Sequence, residues 1–347
     1  MPRFSTRILA AALLTAVTLA QAAPKQTLDV RLTVPTPVLR GDVDVTVTVT
    51  VTNTARHPVN LLKWQLPGDE LEGPLFRVTR DDQKVDYLGP LVKRAAPGAN
   101  DKVKLQPGES LSFQAELTGA YDLSQSGRYA IEYLSRGKRD DDASLKSSAP
   151  LYVWLEGRSG KAPVKPAPPP PTGGPVGFSG NCSSSQQTMI NSAFKEATLY
   201  STNAKEYLAR NVSQAGSRYV KWFGAVSHPG GWALAGKNFT AIEDAFKTKS
   251  VVVDCKCRKS NIYAYVYPTQ PYKIYVCGAF WAAPTTGTDS KAGTLVHEMS
   301  HFDVVAGTED YAYGQSAAAD LAATNPANAL DNADNHEYFA ENTPAGN

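Results

Sequence analysis

Hydrophobic and polar residues alternate over several short stretches in the first 155 positions. In the clearest stretch, Val43 to Val51, valine alternates with aspartate or threonine, a repeat of two that is typical of half-buried β-strands. Leu28 to Leu32, Tyr129 to Leu134 and Leu151 to Leu155 also have strand character, and Pro-Gly pairs at 67–68 and 107–108 mark turns. The pattern predicts an all-β, immunoglobulin-like sandwich.

A spacer rich in proline and glycine follows this β half. It spans residues 157–175 and includes four consecutive prolines at 168–171. Such a sequence cannot pack a core and is typical of an exposed, protease-sensitive linker. A chain of 347 residues is also long enough for two domains. We therefore predict a β domain over 23–156 and a second domain over 176–347.

The second half shows helical and strand periodicities in turn. Apolar residues recur at helical spacing in Ser183 to Tyr207, and Ser217 to Phe223 is a second helical piece. Short strands are predicted at Val251–Val253, Ile262–Tyr267 and Lys273–Val276, and a further helix over about 290–305. The second domain is thus predicted to be α+β.

The N-terminus has the pattern of a secretory signal. Arg3 and Arg7 precede a short apolar run, and Ala20-Gln21-Ala22 fits a cleavage site. This run is too short for a spanning helix, so a membrane anchor is the weaker alternative. We predict a signal peptide over 1–22 and secretion. The net charge of +2 argues against nucleic acid as a partner.

The four cysteines all lie in the second half, at 182, 255, 257 and 277. An even number in an exported chain predicts two disulfides, with three pairings open. A metal cluster at Cys255-x-Cys257 is the alternative, but one intervening residue is closer than zinc pairs use.

The residues that carry chemistry are His297, Glu298 and His301. Four residues make slightly more than one helical turn, so both imidazoles project from one face and can bind one zinc ion. Glu298 is then placed to accept a proton from a water that zinc makes acidic. A surface helix with two solvated histidines is the alternative.

A catalytic zinc site needs a third protein ligand. Asp303 lies on the wrong side of the helix, and Gly307-Thr308 is expected to turn the chain back. Spacing alone leaves four acidic candidates: Glu309, Asp310, Glu337 and Glu341.

The segments 293–301 (GTLVHEMSH) and 307–314 (GTEDYAYG) closely resemble the aspzincin metallopeptidases, the deuterolysin and peptidyl-Lys metalloendopeptidase family. The resemblance implies a zincin-like fold with one Zn²⁺ per catalytic domain. It also implies that Asp310 is the third ligand and that Tyr313 stabilises the oxyanion.

The resemblance covers nearly all of residues 178–347 and is strongest to the peptidyl-Lys branch. It implies the pairing Cys182–Cys255 and Cys257–Cys277, and a lysine-binding S1′ pocket built by Asp334 and Glu337. These two residues also have the spacing of a helix capping box, which is the alternative for their role.

Together these features predict a secreted zinc endopeptidase precursor that cuts on the N-terminal side of lysine in protein substrates. The β half would be a propeptide that inhibits the enzyme or assists its folding. A lysine-directed enzyme could cut its own linker at Lys161 or Lys165. The alternatives are a permanent accessory β domain, a broad-specificity deuterolysin-like protease, or an exported binding protein with an inactive protease-like domain.

Overall fold

The computed structural model describes residues 27–135, 145–161, 176–343 and 345–346. The predicted signal peptide, and most of the linker with its proline run and Lys165, lie outside these residues. The described chain has a β-rich N-terminal region and an α+β C-terminal region, as predicted.

The described residues of the N-terminal region form twelve strands. They are β1 (Leu28–Thr33), β2 (Val38–Arg40), β3 (Thr46–Asn53), β4 (Val59–Leu62), β5 (Phe76–Arg80), β6 (Gln83–Lys84), β7 (Leu91–Arg94), β8 (Lys102–Leu105), β9 (Ser110–Glu116), β10 (Gly127–Ser135), β11 (Leu145–Lys146) and β12 (Leu151–Glu156).

Two sheets of this region share one hydrophobic core. One sheet has the order β1-β3-β9 and the other β2-β12-β10-β5-β6. The valines at 47, 49 and 51 point inward from β3, where they pack with Tyr129 and Ile131 of β10. The alternation in the sequence therefore marks the buried face. The immunoglobulin-like classification stays a prediction.

The described residues of the C-terminal region form four strands and eight α-helices. The strands are β13 (Val176–Ser179), β14 (Val251–Asp254), β15 (Ile262–Val266) and β16 (Lys273–Val276); the helices are α1 (Ser184–Leu208), α2 (Ser217–Phe223), α3 (Gly231–Thr248), α4 (Gly278–Ala282), α5 (Lys291–His301), α6 (Gln315–Thr324), α7 (Pro326–Leu330) and α8 (Ala333–Glu341).

One sheet joins the two regions. Its order is β13-β14-β16-β15-β7, so its last strand comes from the N-terminal region. β7 runs antiparallel to β15, with Lys93 opposite Ala264 and Val92 opposite Tyr265. Without β7, β15 would be the edge of the C-terminal sheet.

Some details of the C-terminal region differ from the sequence expectation. α5 ends at His301 rather than near 305, because Phe302 is already extended. α3 is an eighteen-residue helix that we did not predict.

The cysteines form two disulfides, Cys182–Cys255 and Cys257–Cys277. This is the pairing that the resemblance implies, and the metal-cluster alternative is wrong. No helix within the described ranges combines the length and apolar character needed to cross a bilayer.

Candidate active site

Helix α5 carries the two histidines and the glutamate. Ser290 caps its N-terminus by accepting a hydrogen bond from the Gly293 N–H at 2.9 Å, which satisfies one donor that the first turn leaves open. The side chains of His297, Glu298 and His301 are fully buried. This burial excludes the surface-helix alternative.

The chain reverses direction directly after α5. Gly307 adopts a left-handed conformation (φ 60°) that a side chain would strain. The Thr308 carbonyl then accepts a hydrogen bond from Nδ1 of His301 at 2.6 Å. This bond assigns the proton to Nδ1 and leaves the lone pair of Nε2 available for a metal.

The reversal brings Asp310 to the two imidazoles. Its Oδ1 atom lies 3.3 Å from Nε2 of His297 and 3.6 Å from Nε2 of His301, and the two Nε2 atoms are 3.1 Å apart. Ligand atoms about 2.0–2.1 Å from a tetrahedral zinc ion lie about 3.3 Å from one another. The three side chains therefore fit one zinc ion.

The electrostatics of His301 suit a neutral ligand. Burial lowers its pKa to about 4, although Asp310 opposes this change. The imidazole is then uncharged near neutral pH, which is the form that binds a metal.

Glu298 is next to this donor set. Neither of its carboxylate oxygens has a hydrogen-bond partner among the described residues. Burial raises its pKa well above the usual range, and the charge of Asp310 adds to that effect. A buried carboxylate with a raised pKa is suited to accept a proton.

Tyr313 lies three residues after Asp310, beside the same site. Its hydroxyl accepts a hydrogen bond from Nη1 of Arg94 at 3.3 Å. Its ring meets that of Trp64 edge-on, with centroids 6.0 Å apart. Arg94 and Trp64, both from the N-terminal region, thus cover this tyrosine.

A cavity of about 710 Å³ adjoins the site between the two regions. Its lining includes His301 and Asp310 from one region and Trp64 and Arg94 from the other. His301 and Asp310 therefore face a space that a substrate or water can reach.

Asp334 and Glu337 lie on the adjacent helix α8 and are fully buried. The N-cap of α8 is Asn332, and its side chain makes no capping bond, so the capping-box alternative is wrong. Asp334 Oδ1 lies 2.9 Å from Nδ1 of His297, and its Oδ2 accepts a hydrogen bond from the Gly314 N–H at 2.6 Å.

Lys93 of β7 enters this acidic pocket. Its Nζ contacts Glu337 Oε2 and lies 3.4 Å from Asp334 Oδ1, and the side chain is fully buried. Burial alone would lower the pKa of Lys93, but the charges of Asp334 and Glu337 raise it well above its usual value. The pocket therefore holds an ammonium ion.

Two groups of described residues have ligand atoms close enough to share a metal. In the second group, His297 with Asp334 and Glu337, both carboxylates already contact the Lys93 ammonium. A cation already neutralises these carboxylates, so the fitting metal site is the one with His301 and Asp310. Glu309 instead pairs with Asn332 through its backbone.

Sequence reasoning did not find Lys93. It is one of 35 lysines and arginines, in a short strand whose pattern resembles the others. The one usable signal was the combination of a predicted lysine pocket and a lysine within a strand-forming segment.

Comparison with known proteins identifies the family. Residues 207–341 match the aspzincin family model described as lysine-specific metallo-endopeptidase. An extracellular protease of Aeromonas hydrophila is 47% identical over 348 residues, 97% of this chain and 98% of that protein. A peptidyl-Lys metalloendopeptidase of Grifola frondosa is 39% identical over 275 residues, 76% of this chain and 75% of that protein.

A solved zinc peptidase from Grifola frondosa is 46% identical and aligns with 48% of this chain and 100% of that chain, with a TM-score of 0.46. The near full-length relative and the family-model match agree with each other. The chain therefore belongs to the aspzincin family of lysine-specific metallo-endopeptidases and is a zinc metalloendopeptidase.

Proposed function

We propose that this chain is the precursor of a secreted zinc endopeptidase that cuts on the N-terminal side of lysine, and that its N-terminal region inhibits it. The observation that carries the proposal is Lys93, whose ammonium is buried against Asp334 and Glu337. A lysine of the chain itself thus occupies the proposed specificity pocket.

His297, His301 and Asp310 would hold one zinc ion. When bound, zinc supplies Lewis acidity that acidifies water and polarises the carbonyl of the peptide bond. Glu298 would accept the proton of the attacking water and pass it to the leaving amine. Tyr313 would donate a hydrogen bond to the carbonyl oxygen as negative charge develops there.

Asp334 and Glu337 would select the residue after the cut bond. Burying two carboxylates in one pocket costs free energy unless a cation lies with them. A lysine side chain supplies that cation, whereas an apolar side chain leaves the charges of both carboxylates without a cation in the pocket.

Two contacts of β7 support inhibition by the N-terminal region. β7 covers the edge strand β15 through backbone pairing while Lys93 fills the pocket. Extended peptides bind proteins by the same combination of strand addition and side-chain pockets. The N-terminal region would therefore compete directly with substrate.

Secretion and the propeptide role are supported by different observations. Two disulfides are typical of a chain that folds in an oxidising compartment, and one relative carries the name extracellular protease. We propose an N-terminal signal peptide over 1–22, an immunoglobulin-like propeptide over 23–156 and a linker over 157–175. The strand order β1-β3-β9 facing β2-β12-β10-β5 supports the immunoglobulin-like class.

Cleavage of an unfolded protein by the matured enzyme tests the proposal. Every cut is identified by mass spectrometry, with and without a zinc chelator, and Glu298→Gln is the matched inactive control. We expect cuts before lysine that the chelator abolishes and zinc restores.

Other outcomes would select an alternative. Chelator-sensitive cuts before varied residues would indicate a deuterolysin-like protease without a lysine pocket. An absence of cutting by folded, processed enzyme would contradict the proposal and favour a binding protein.

A further inference from the structure

We propose that Asp289 is a third carboxylate of the S1′ pocket and helps to determine its preference for lysine. The inference rests on the proposed function of this pocket. It adds a residue from the loop before α5, whereas Asp334 and Glu337 both come from α8.

The position of the Lys93 ammonium carries the inference. Its Nζ lies 3.9 Å from Asp289 Oδ1, compared with 3.4 Å from Asp334 Oδ1. The lysine side chain is fully buried, whereas the side chain of Asp289 is 36% exposed. Charges at this separation attract strongly where one of them is shielded from water. Asp289 therefore supplies negative charge at the solvent-accessible side of the pocket.

The backbone at Asp289 is held in a strained conformation. Its φ of 51° lies in the left-handed region, which costs energy for residues with a side chain, although less for aspartate than for most. Such conformations persist where surrounding contacts enforce them, and they concentrate at functional sites.

Two hydrogen bonds to α8 enforce the conformation. The Tyr338 hydroxyl donates to Asp289 Oδ1 at 2.6 Å, and the Asp289 N–H donates to Glu341 Oε2 at 3.2 Å. The first bond aims the carboxylate, and the second fixes the backbone. α8 thus positions all three carboxylates around one ammonium.

Two aromatic rings complete the environment of the ammonium. Lys93 Nζ lies 5.2 Å from the ring centre of Tyr263 and 5.8 Å from that of Tyr338, within the range of cation–π attraction. The carboxylates and rings of the pocket lie around the end of a lysine side chain. An arginine side chain is longer and ends in a planar guanidinium, so its charge would meet these groups in a different geometry.

The test is Asp289→Asn in enzyme matured from the full chain, assayed on two peptides that differ only in lysine or arginine after the cut bond. We expect kcat/KM for the lysine peptide to fall about tenfold, mainly through KM, because a charge-assisted contact is lost. The arginine peptide should change less, so the lysine-to-arginine ratio should drop. Asp244→Asn, an exposed carboxylate on α3, is the matched control and should change neither value.

Tyr338→Phe keeps the ring and removes only the hydroxyl that aims Asp289. This variant tests the inference if Asp289→Asn does not fold. We expect Tyr338→Phe to raise KM for the lysine peptide about threefold, with little change in kcat. Values within twofold of wild type for the folded variants would overturn the inference. Wild-type enzyme that does not cut before lysine would instead overturn the proposed function on which it rests.

Discussion

At the scale of single residues, burial gives ordinary side chains their chemistry. Glu298 has no hydrogen-bond partner among the described residues and a raised pKa. His301 has a lowered pKa and a proton fixed on Nδ1. The same types of residue on the surface would be solvated and have neither property.

Replacing Glu298 tests its role as a base. We expect Glu298→Gln to lower kcat about 10²–10⁴-fold, because the amide is nearly isosteric but cannot accept the proton. The measurement is steady-state hydrolysis of a lysine peptide, with zinc content determined on the same sample. Substantial activity in a zinc-loaded variant would contradict this role.

Glu243 on α3 provides a stability prediction away from the site. Burial would raise its pKa, but hydrogen bonds from Lys205, Lys247 and Thr202 lower it from 4.5 to about 2. A depressed carboxylate pKa contributes stability above pH 4.5, and this contribution is lost as the pH falls towards 2. Both lysines are 40–48% exposed, so solvent screening reduces the gain.

We therefore expect Glu243→Gln to lower the free energy of unfolding by about 1–2 kcal/mol at pH 7. The difference from wild type should shrink between pH 4.5 and 2. Urea unfolding at several pH values measures this difference in unfolding free energy. A difference that is independent of pH would contradict the ion-pair explanation.

At the scale of elements, α5, the turn after it and α8 build the site, and β7 covers it. Arg94 and Glu72 make further contacts that hold β7 over the site. Nη2 of Arg94 donates to Glu72 at 2.5 Å, and Glu72 also pairs with Lys259 of the C-terminal region. Arg94 Nη1 further contacts the Val92 carbonyl and the Tyr313 hydroxyl. The strand is therefore held by charges as well as by sheet pairing.

Removing the lysine of β7 should release the cleft. We expect Lys93→Ala in the full chain to raise the activity of the unprocessed protein at least about tenfold, because the pocket loses its buried ion pairs. The initial rate on a lysine peptide, measured while the chain is still intact by mass, gives the result.

Lys104→Ala, on the exposed side of β8, is the matched control and should leave the intact chain inhibited. If Lys93→Ala and Lys104→Ala behave alike, the pocket contact does not cause inhibition.

Short-range patterns in the sequence predicted much of this architecture. Alternating valines predicted β3, and the spacing of His297 and His301 predicted that both imidazoles project from one face of α5. The contacts of Lys93 and Asp289 could not be predicted in this way. Each depends on segments far apart in the chain, and neither periodicity nor spacing records which loop meets which helix.

At the scale of the whole molecule, the proposed inhibition and maturation depend on the connection between the two regions. The described part of that connection ends at Lys161, which is exposed. Exposed linkers are where proteases cut. A lysine-directed enzyme with Lys161 and Lys165 in its linker could process itself.

Replacing both linker lysines tests self-processing. We expect the double variant Lys161→Ala and Lys165→Ala, and separately Glu298→Gln, to remain at full length when purified, whereas wild type matures. Intact mass measured over time distinguishes them. Normal maturation of Glu298→Gln expressed alone would show that another protease makes the cut.

The pairing of β7 with β15 also has a consequence for the choice of cut sites in native proteins. If β7 leaves, β15 becomes an open edge whose unpaired backbone groups can pair with another extended chain. A lysine in a rigid helix cannot offer such a strand, however exposed its ammonium is. Folded proteins should therefore be nicked first in loops and frayed ends that can straighten, so that local unfolding in the target sets the rate of digestion.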